Sequence, residues 1–292
     1  MIINFIRGLF MALADSVPGV SGGTIAFIMG FYDKFIDSLE GIIYGDKNKK
    51  KESLKFLIKI GIGWAFGMIL AALVLAQLFE DKIYIISSLF LGFIIFAIPL
   101  IIKEEKDVIK KRYINILFSI IGIAIVILIS FLNPSSKDAS VDITHINLML
   151  GLYIFIAGMV AISAMVLPGI SGSTLLLIFG LYIPIMTGIK EVLHFNFSYL
   201  PALCFFAIGV ISGILLVIKL LKAALIKYRS QTIYLIIGLM IGSIYAIIIG
   251  PTTLDTPKDS MSLKTFNILF FIIGGLVILG LEKLKKVIKE NK

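Results

Sequence analysis

The chain has 292 residues, of which 59% are hydrophobic and only 15% charged, and its mean hydropathy is +1.05. Those values exclude a soluble globular protein and point to a chain solvated by lipid. The formal net charge of +9 does not signal nucleic acid, because most of the basic residues sit in short connections between apolar stretches. The single cysteine, Cys204, leaves no internal disulfide to consider.

Residues 1–43 are apolar and then amphipathic, broken at Pro18-Gly19. A proline lacks a backbone donor and pushes the preceding residue out of the helical region, so a helix is expected to end by Val17. Ser21 then reads as the N-cap of a second helix running through Ile25 and Ile28 towards Gly30. The pattern predicts a helix–break–helix hairpin over 1–43, re-entrant in preference to a pair of ordinary spans, because irregular backbone at membrane depth needs a protein-lined cavity. A cleavable leader ending at Ala12-Leu13-Ala14 is not expected, since Arg7 lies inside the apolar run and cleavage would cut into the motif. Apolar stretches near bilayer length follow at 60–79, 83–102 and 114–132, then at 148–167, 199–218, 232–250 and 266–281.

The break occurs twice. Ala14-Asp15-Ser16-Val17-Pro18-Gly19-Val20-Ser21-Gly22-Gly23-Thr24 is matched by Ala164-Met165-Val166-Leu167-Pro168-Gly169-Ile170-Ser171-Gly172-Ser173-Thr174, an offset of 150, and Gly30 and Tyr32 fall on Gly180 and Tyr182 at the same offset. The spans match in the same order: Gly63 and Gly67 with Gly209 and Gly213, Gly92 with Gly238, and the Asn115–Gly122 run with Asn267–Gly274. The chain therefore divides into a first repeat over 1–132, a connection over 133–146 and a second repeat over 147–292, whose hairpin is 147–189.

Charge supplies orientation. Segments 44–55, 103–112, 219–229 and 283–292 hold nineteen of the 27 Lys and Arg residues, whereas 80–82, 133–146, 190–200 and 251–264 hold five. The positive-inside rule makes the first set cytoplasmic, with both termini, and the second external. Each half is then a hairpin that returns to its own side followed by three crossings. Three is odd, so the halves lie upside down relative to one another. The expected fold class is an all-α polytopic membrane protein with an inverted-topology repeat, an arrangement associated with alternating-access transport.

A glycine-rich turn opening into a helix aims backbone N–H groups at one spot and favours anions. The candidate binding groups are Gly19, Ser21, Gly22, Gly23 and Thr24 in the first break and Gly169, Ser171, Gly172, Ser173 and Thr174 in the second. Arg7 is the candidate fixed cation, with Lys59 as another. Asp15 is the candidate for proton or cation coupling, because a carboxylate at membrane depth is expensive. A structural pair with Arg7, or a cap on free N–H groups, is the alternative for Asp15, and glycine packing is the alternative for both breaks. No P-loop, nucleophile–base motif or zinc spacing occurs, and His145 and His194 form no cluster, so neither an enzyme nor a metal or other cofactor is expected.

The paired motif, with Ala14-Asp15 ahead of the first break and Gly30-Phe31-Tyr32 after it, resembles the PopT family of bacterial membrane proteins over nearly the whole chain. Members of that family are regarded as polyprenyl-phosphate translocases. The resemblance implies a multi-pass protein of the bacterial cell membrane that returns undecaprenyl phosphate, the lipid carrier of cell-wall precursors, from the outer to the cytoplasmic leaflet. It carries across neither a coupling ion nor individual phosphate ligands. On the residues alone, two other readings stand: a transporter or channel for a small soluble anion, and a scaffold for envelope enzymes.

Overall fold

The computed structural model describes residues 2–15, 21–70, 76–110, 112–132, 141–253 and 257–290. Among the described residues the regular structure is helical throughout. The first half comprises α1 (Ile2–Asp15), α2 (Gly22–Ile28), α3 (Tyr32–Tyr44), α4 (Lys47–Leu70), α5 (Ala76–Glu104), α6 (Lys106–Ile109) and α7 (Ile116–Phe131). The second comprises α8 (Leu148–Val166), α9 (Gly172–Ile178), α10 (Tyr182–Leu193), α11 (Leu200–Lys227), α12 (Arg229–Ile249) and α13 (Ile268–Glu290).

The second break falls where its proline puts it. α8 stops at Val166, and Leu167, ahead of Pro168, is extended (φ −77°, ψ 134°). α1 stops at Asp15; Val17 and Pro18 lie outside the described residues. Ser21 is extended (φ −130°, ψ 151°) and its Oγ accepts the Thr24 N–H, so α2 has the serine cap expected of it. Both short helices end on a glycine in the left-handed region, Gly30 (φ +64°) and Gly180 (φ +63°). Beyond that turn α10 is bent by 103° from α9, as in a re-entrant hairpin.

Among the described residues, six helical stretches are long and apolar enough to cross a membrane: α4, Lys82–Glu104 of α5, Tyr113–Phe131 including α7, α8, Phe197–Lys227 including α11, and Arg229–Thr252 including α12. The apolar part of α13, Ile268–Gly280, is shorter. α8 is therefore span-length, whereas α1 has 14 residues. The basic run from Lys47 to Lys55, expected in a connection, forms the first turns of α4 instead. Gly45 closes α3, and the Asp46 carboxylate accepts the Lys49 N–H at 2.8 Å, so one acidic residue starts the next helix at once.

The internal repeat is visible as repeated helix contacts. α1 packs along α4 and α8 along α11. Gly63 receives the Phe5 carbonyl and Gly209 the Phe155 carbonyl, while Gly67 lies on Leu9 and Gly213 on Met159. The later spans exchange partners: α5 packs on α13, and α12 on α7. Gly92 meets the Phe271 carbonyl and Gly238 the Ser119 carbonyl; Gly274 meets Leu89 and Gly122 meets Leu235. Each of these glycines replaces a side chain that would hold the two backbones apart. The result is an all-helical membrane fold in which the helix contacts of the first half recur in the second and the later helices of each half pack on those of the other.

Candidate functional site: the meeting of the two breaks

The two hairpins bring their breaks together at the middle of α12, where Gly169 lies against the backbone of Leu239. Gly169 has φ +90°, and a Cβ there would stand 2.5 Å from the Leu239 carbonyl carbon, so the position demands glycine on two counts.

The contact is hydrogen-bonded across the halves. Pro168 prevents its own chain from closing these bonds, and the first half closes them instead. The Ser21 hydroxyl donates to the Leu167 carbonyl at 3.1 Å, and the Thr24 hydroxyl oxygen accepts the Gly169 N–H at 2.8 Å. Ser21 Oγ and Thr24 Oγ1 are 3.1 Å apart. One proton order satisfies the set: Gly169 N–H to Thr24, Thr24 O–H to Ser21, and Ser21 O–H to Leu167. Both hydroxyls are 1% exposed. The buried Tyr32 hydroxyl adds a bond to the Val166 carbonyl at 3.1 Å. Gly23 permits the approach, since a Cβ there would lie 2.7 Å from the same carbonyl oxygen.

Asp15 stands at the edge of this centre. Its carboxylate accepts the Gly22 N–H at 2.6 Å and the Trp64 indole N–H at 2.9 Å. It therefore occupies an N–H group at the start of α2 that an anionic ligand would otherwise use. In the second break Ser171 is buried and Ser173 and Thr174 are half-buried. Ser171 Oγ and Ser173 Oγ lie 2.8 Å apart, and Gly172 packs against the Ala161 carbonyl.

A cavity of about 490 Å³ opens beside Asp15. Asp15, Gly22, Gly23 and Trp64 line its polar end. Met11, Phe35, Leu39, Ile60, Ile162 and Ile214 are among its apolar walls, drawn from both halves. The space thus has one small polar end and a long hydrophobic remainder.

Of the residues selected from sequence, Asp15, Ser21, Gly22, Gly23, Thr24 and Gly169 converge here, with Ser171, Gly172, Ser173 and Thr174 on the helix that follows. Gly19 lies outside the described residues. Arg7 is engaged elsewhere: Nη1 donates to Asn4 Oδ1 at 3.0 Å, and the guanidinium carbon stands 4.6 Å above the Phe31 ring. Trp64 and Tyr32 were not selected. Trp64 is the chain's single tryptophan and Tyr32 belongs to the repeated Gly-x-Tyr, so each carried a signal, but no local pattern gave its partner.

On one side of the centre, ion pairs tie α3 to the second half. Lys222 of α11 bridges Asp37 (2.8 Å) and Glu40 (2.5 Å). Arg229 of α12 bridges Asp33 (3.0 Å) and Glu105 (2.5 Å). Position for position, the repeat puts Ile183 and Thr187 where α3 has Asp33 and Asp37, and Ile83 where α12 has Arg229.

The family model described as VCA0040-like, undecaprenyl phosphate translocase-like, matches residues 11–265. A polyprenyl-phosphate transporter of Staphylococcus aureus is 37% identical over 292 residues, covering 97% of this chain and 96% of that protein. A polyprenyl-phosphate transporter of Vibrio cholerae is 32% identical over 251 residues, covering 82% and 75% respectively. No solved structure matches the chain.

Proposed function

Because the chain belongs to the undecaprenyl phosphate translocase-like family, we propose that it is a lipid-phosphate transporter carrying undecaprenyl phosphate from the outer to the cytoplasmic leaflet of a bacterial cell membrane, for re-use in envelope synthesis. The observation that carries this reading is the junction of the two breaks beside a cavity with one polar end and otherwise apolar walls. An amphiphile with a small phosphate head and a hydrocarbon tail suits such a space. A soluble anion would need a wetted path, and the apolar walls argue against one.

In this proposal the headgroup is received where the breaks meet. Its candidate partners are the amides of Gly22, Gly23 and Gly172 and the hydroxyls of Ser21, Thr24, Ser171, Ser173 and Thr174. The conformation described is closed: the Gly22 N–H is held by Asp15, and the Ser21 and Thr24 hydroxyls are held by the opposite break. A phosphate monoester, carrying roughly −1.5 to −2 charges at neutral pH, does not share an amide with a carboxylate. Asp15 must give up its charge or its place before the phosphate binds. That exchange supplies a physical basis for proton coupling at Asp15. The ion pairs of Lys222 and Arg229 close the side that the positive-inside rule assigns to the cytoplasm.

The test is flux of a labelled polyprenyl phosphate across liposomes holding the purified protein, with and without a pH gradient. Wild-type flux should respond to the gradient, and Asp15→Asn should move lipid without that response. Protein-dependent flux of inorganic phosphate with none of the lipid would sink the assignment.

A further inference from the structure

Of the 27 basic residues, nineteen lie in one set of inter-span segments and five in the other, which leaves three: Arg7, Lys34 and Lys59. Topology accounts for the first two groups. The last three lie outside both sets, far apart in sequence on α1, α3 and α4. The structure gathers them around one residue, Asn4.

Asn4 of α1, Lys34 of α3 and Lys59 of α4 line a single recess of about 550 Å³, with Lys49, Lys55 and Ser53. The Asn4 side-chain oxygen accepts a bond from the Arg7 guanidinium, so Arg7 stands directly behind the recess. The Lys34 ammonium lies 4.9 Å above the ring of Phe56, another wall residue. Lys59 is half-buried and sits twelve residues beyond Lys47, roughly 18 Å along α4. Lys59 stands just before the apolar stretch 60–79, at the edge of the membrane-embedded part of α4. Among the described residues, neither Arg7, Lys34, Lys55 nor Lys59 has a carboxylate within 4.0 Å. Arg7 Nε is buried and has no hydrogen-bond partner. Two carboxylates do line the recess, Asp37 and Glu52, and Asp37 is already committed to Lys49 and Lys222. The positive charge here is therefore in excess, with Lys59 half-buried and Lys34 and Lys55 exposed at the mouth.

We propose that this recess, which shares no lining residue with the Asp15 cavity, is a separate binding site for a phosphate group. The anion sits between Lys34 and Lys59, with Lys55 at the rim and Asn4 and Arg7 behind. The chemistry fits the headgroup of a prenyl phosphate, a phospholipid phosphodiester or free phosphate alike. The argument rests on the stranded cations and is independent of how the breaks are read.

Lysine acetylation of the full chain in nanodiscs, followed peptide by peptide by mass spectrometry, tests it. The arms are phosphatidylcholine discs with farnesyl phosphate, the same discs with inorganic phosphate, and discs containing phosphatidylglycerol. The expected result is at least a fivefold slowing at Lys34 and Lys59 in one or more arms, with Lys103 and Lys264 unchanged; which arm protects identifies the source of the phosphate. Lys59→Gln should abolish protection of Lys34, and Lys59→Arg should restore it. Equal slowing at all four lysines, or none in any arm, overturns the proposal. The fluorescence of Trp64, which faces the other cavity, is read in parallel. A Trp64 response to farnesyl phosphate without lysine protection would remove this site and leave the proposed function standing.

Discussion

Thr24→Val is the sharpest perturbation of the junction between the halves. Valine nearly matches threonine in volume, so the change opens no cavity, but it strips the Gly169 N–H of its acceptor at a position where both partners are buried. A buried donor left unpaired costs about 1–3 kcal/mol. Hydrogen bonds between helices within membranes have averaged nearer ~0.6 kcal/mol, because the unfolded chain in lipid also finds partners. Here the acceptor belongs to the opposite half and the donor follows a proline, so substitute partners are few, and a loss of about 1–2 kcal/mol is expected. Equilibrium unfolding in mixed detergent micelles reads the change, with Thr24→Ser as the control that keeps the hydroxyl and stays within about 0.5 kcal/mol of wild type. If Thr24→Val unfolded at the wild-type midpoint, the hydroxyl would not be tying the halves together, and its role would have to lie with the ligand alone.

Gly169→Ala combines a left-handed backbone, which costs an L-residue about 1–2 kcal/mol, with a methyl group forced to 2.5 Å from the backbone of Leu239. Overpacking adds about 1–3 kcal/mol, so the variant should fall well below wild type in the same unfolding assay, and an unchanged midpoint would mean that the breaks do not meet as described. Lys222→Glu puts a third carboxylate beside Asp37 and Glu40; in a Cys204→Ser, Leu39→Cys background, labelling of the cavity by a membrane-impermeant maleimide should rise at least fivefold and return to its starting level when Glu40→Lys is added. No rise would show that these pairs do not close the cavity.

How much of this was legible beforehand follows the range of the interactions involved. The repeat could be read because it is written in glycines. Gly63, Gly92 and Gly122 mark the same contacts as Gly209, Gly238 and Gly274, and a helix-packing glycine must recur wherever its contact recurs. The serine cap of α2 was equally plain, since Ser21 and Thr24 are three residues apart. The further role of those two hydroxyls was not legible, because their partners lie 146 and 145 residues away and one of them is only a carbonyl. Arg7 was picked out for its charge and its closeness in sequence to the break. Its partners turned out to be Asn4, one helical turn back, and Phe31, across the hairpin. Charge usually marks a connection and the basic run at Lys47–Lys55 reads as one, yet a single Asp46 cap suffices to start α4 there.

The two ends of the fold differ in a way that the repeat itself makes measurable. Helix contacts are copied almost position for position between the halves, so the scaffold has no preferred side. The charges are not copied: Asp33, Asp37 and Arg229 correspond to Ile183, Thr187 and Ile83. One end therefore carries paired ions, each partly exposed pair worth about 0–1 kcal/mol, whereas at the end related to it by the repeat these three places are apolar or neutral and Glu40 is matched by Lys190. On the proposed function, a phosphate leaving the junction towards the ionic end meets groups able to exchange partners with it, for Lys222 and Arg229 can pair with phosphate as readily as with carboxylate. Towards the other end, the place of Arg229 is held by Ile83, and Lys190 stands in the place of Glu40. On the proposed function, that asymmetry of charge makes one exit chemically unlike the other.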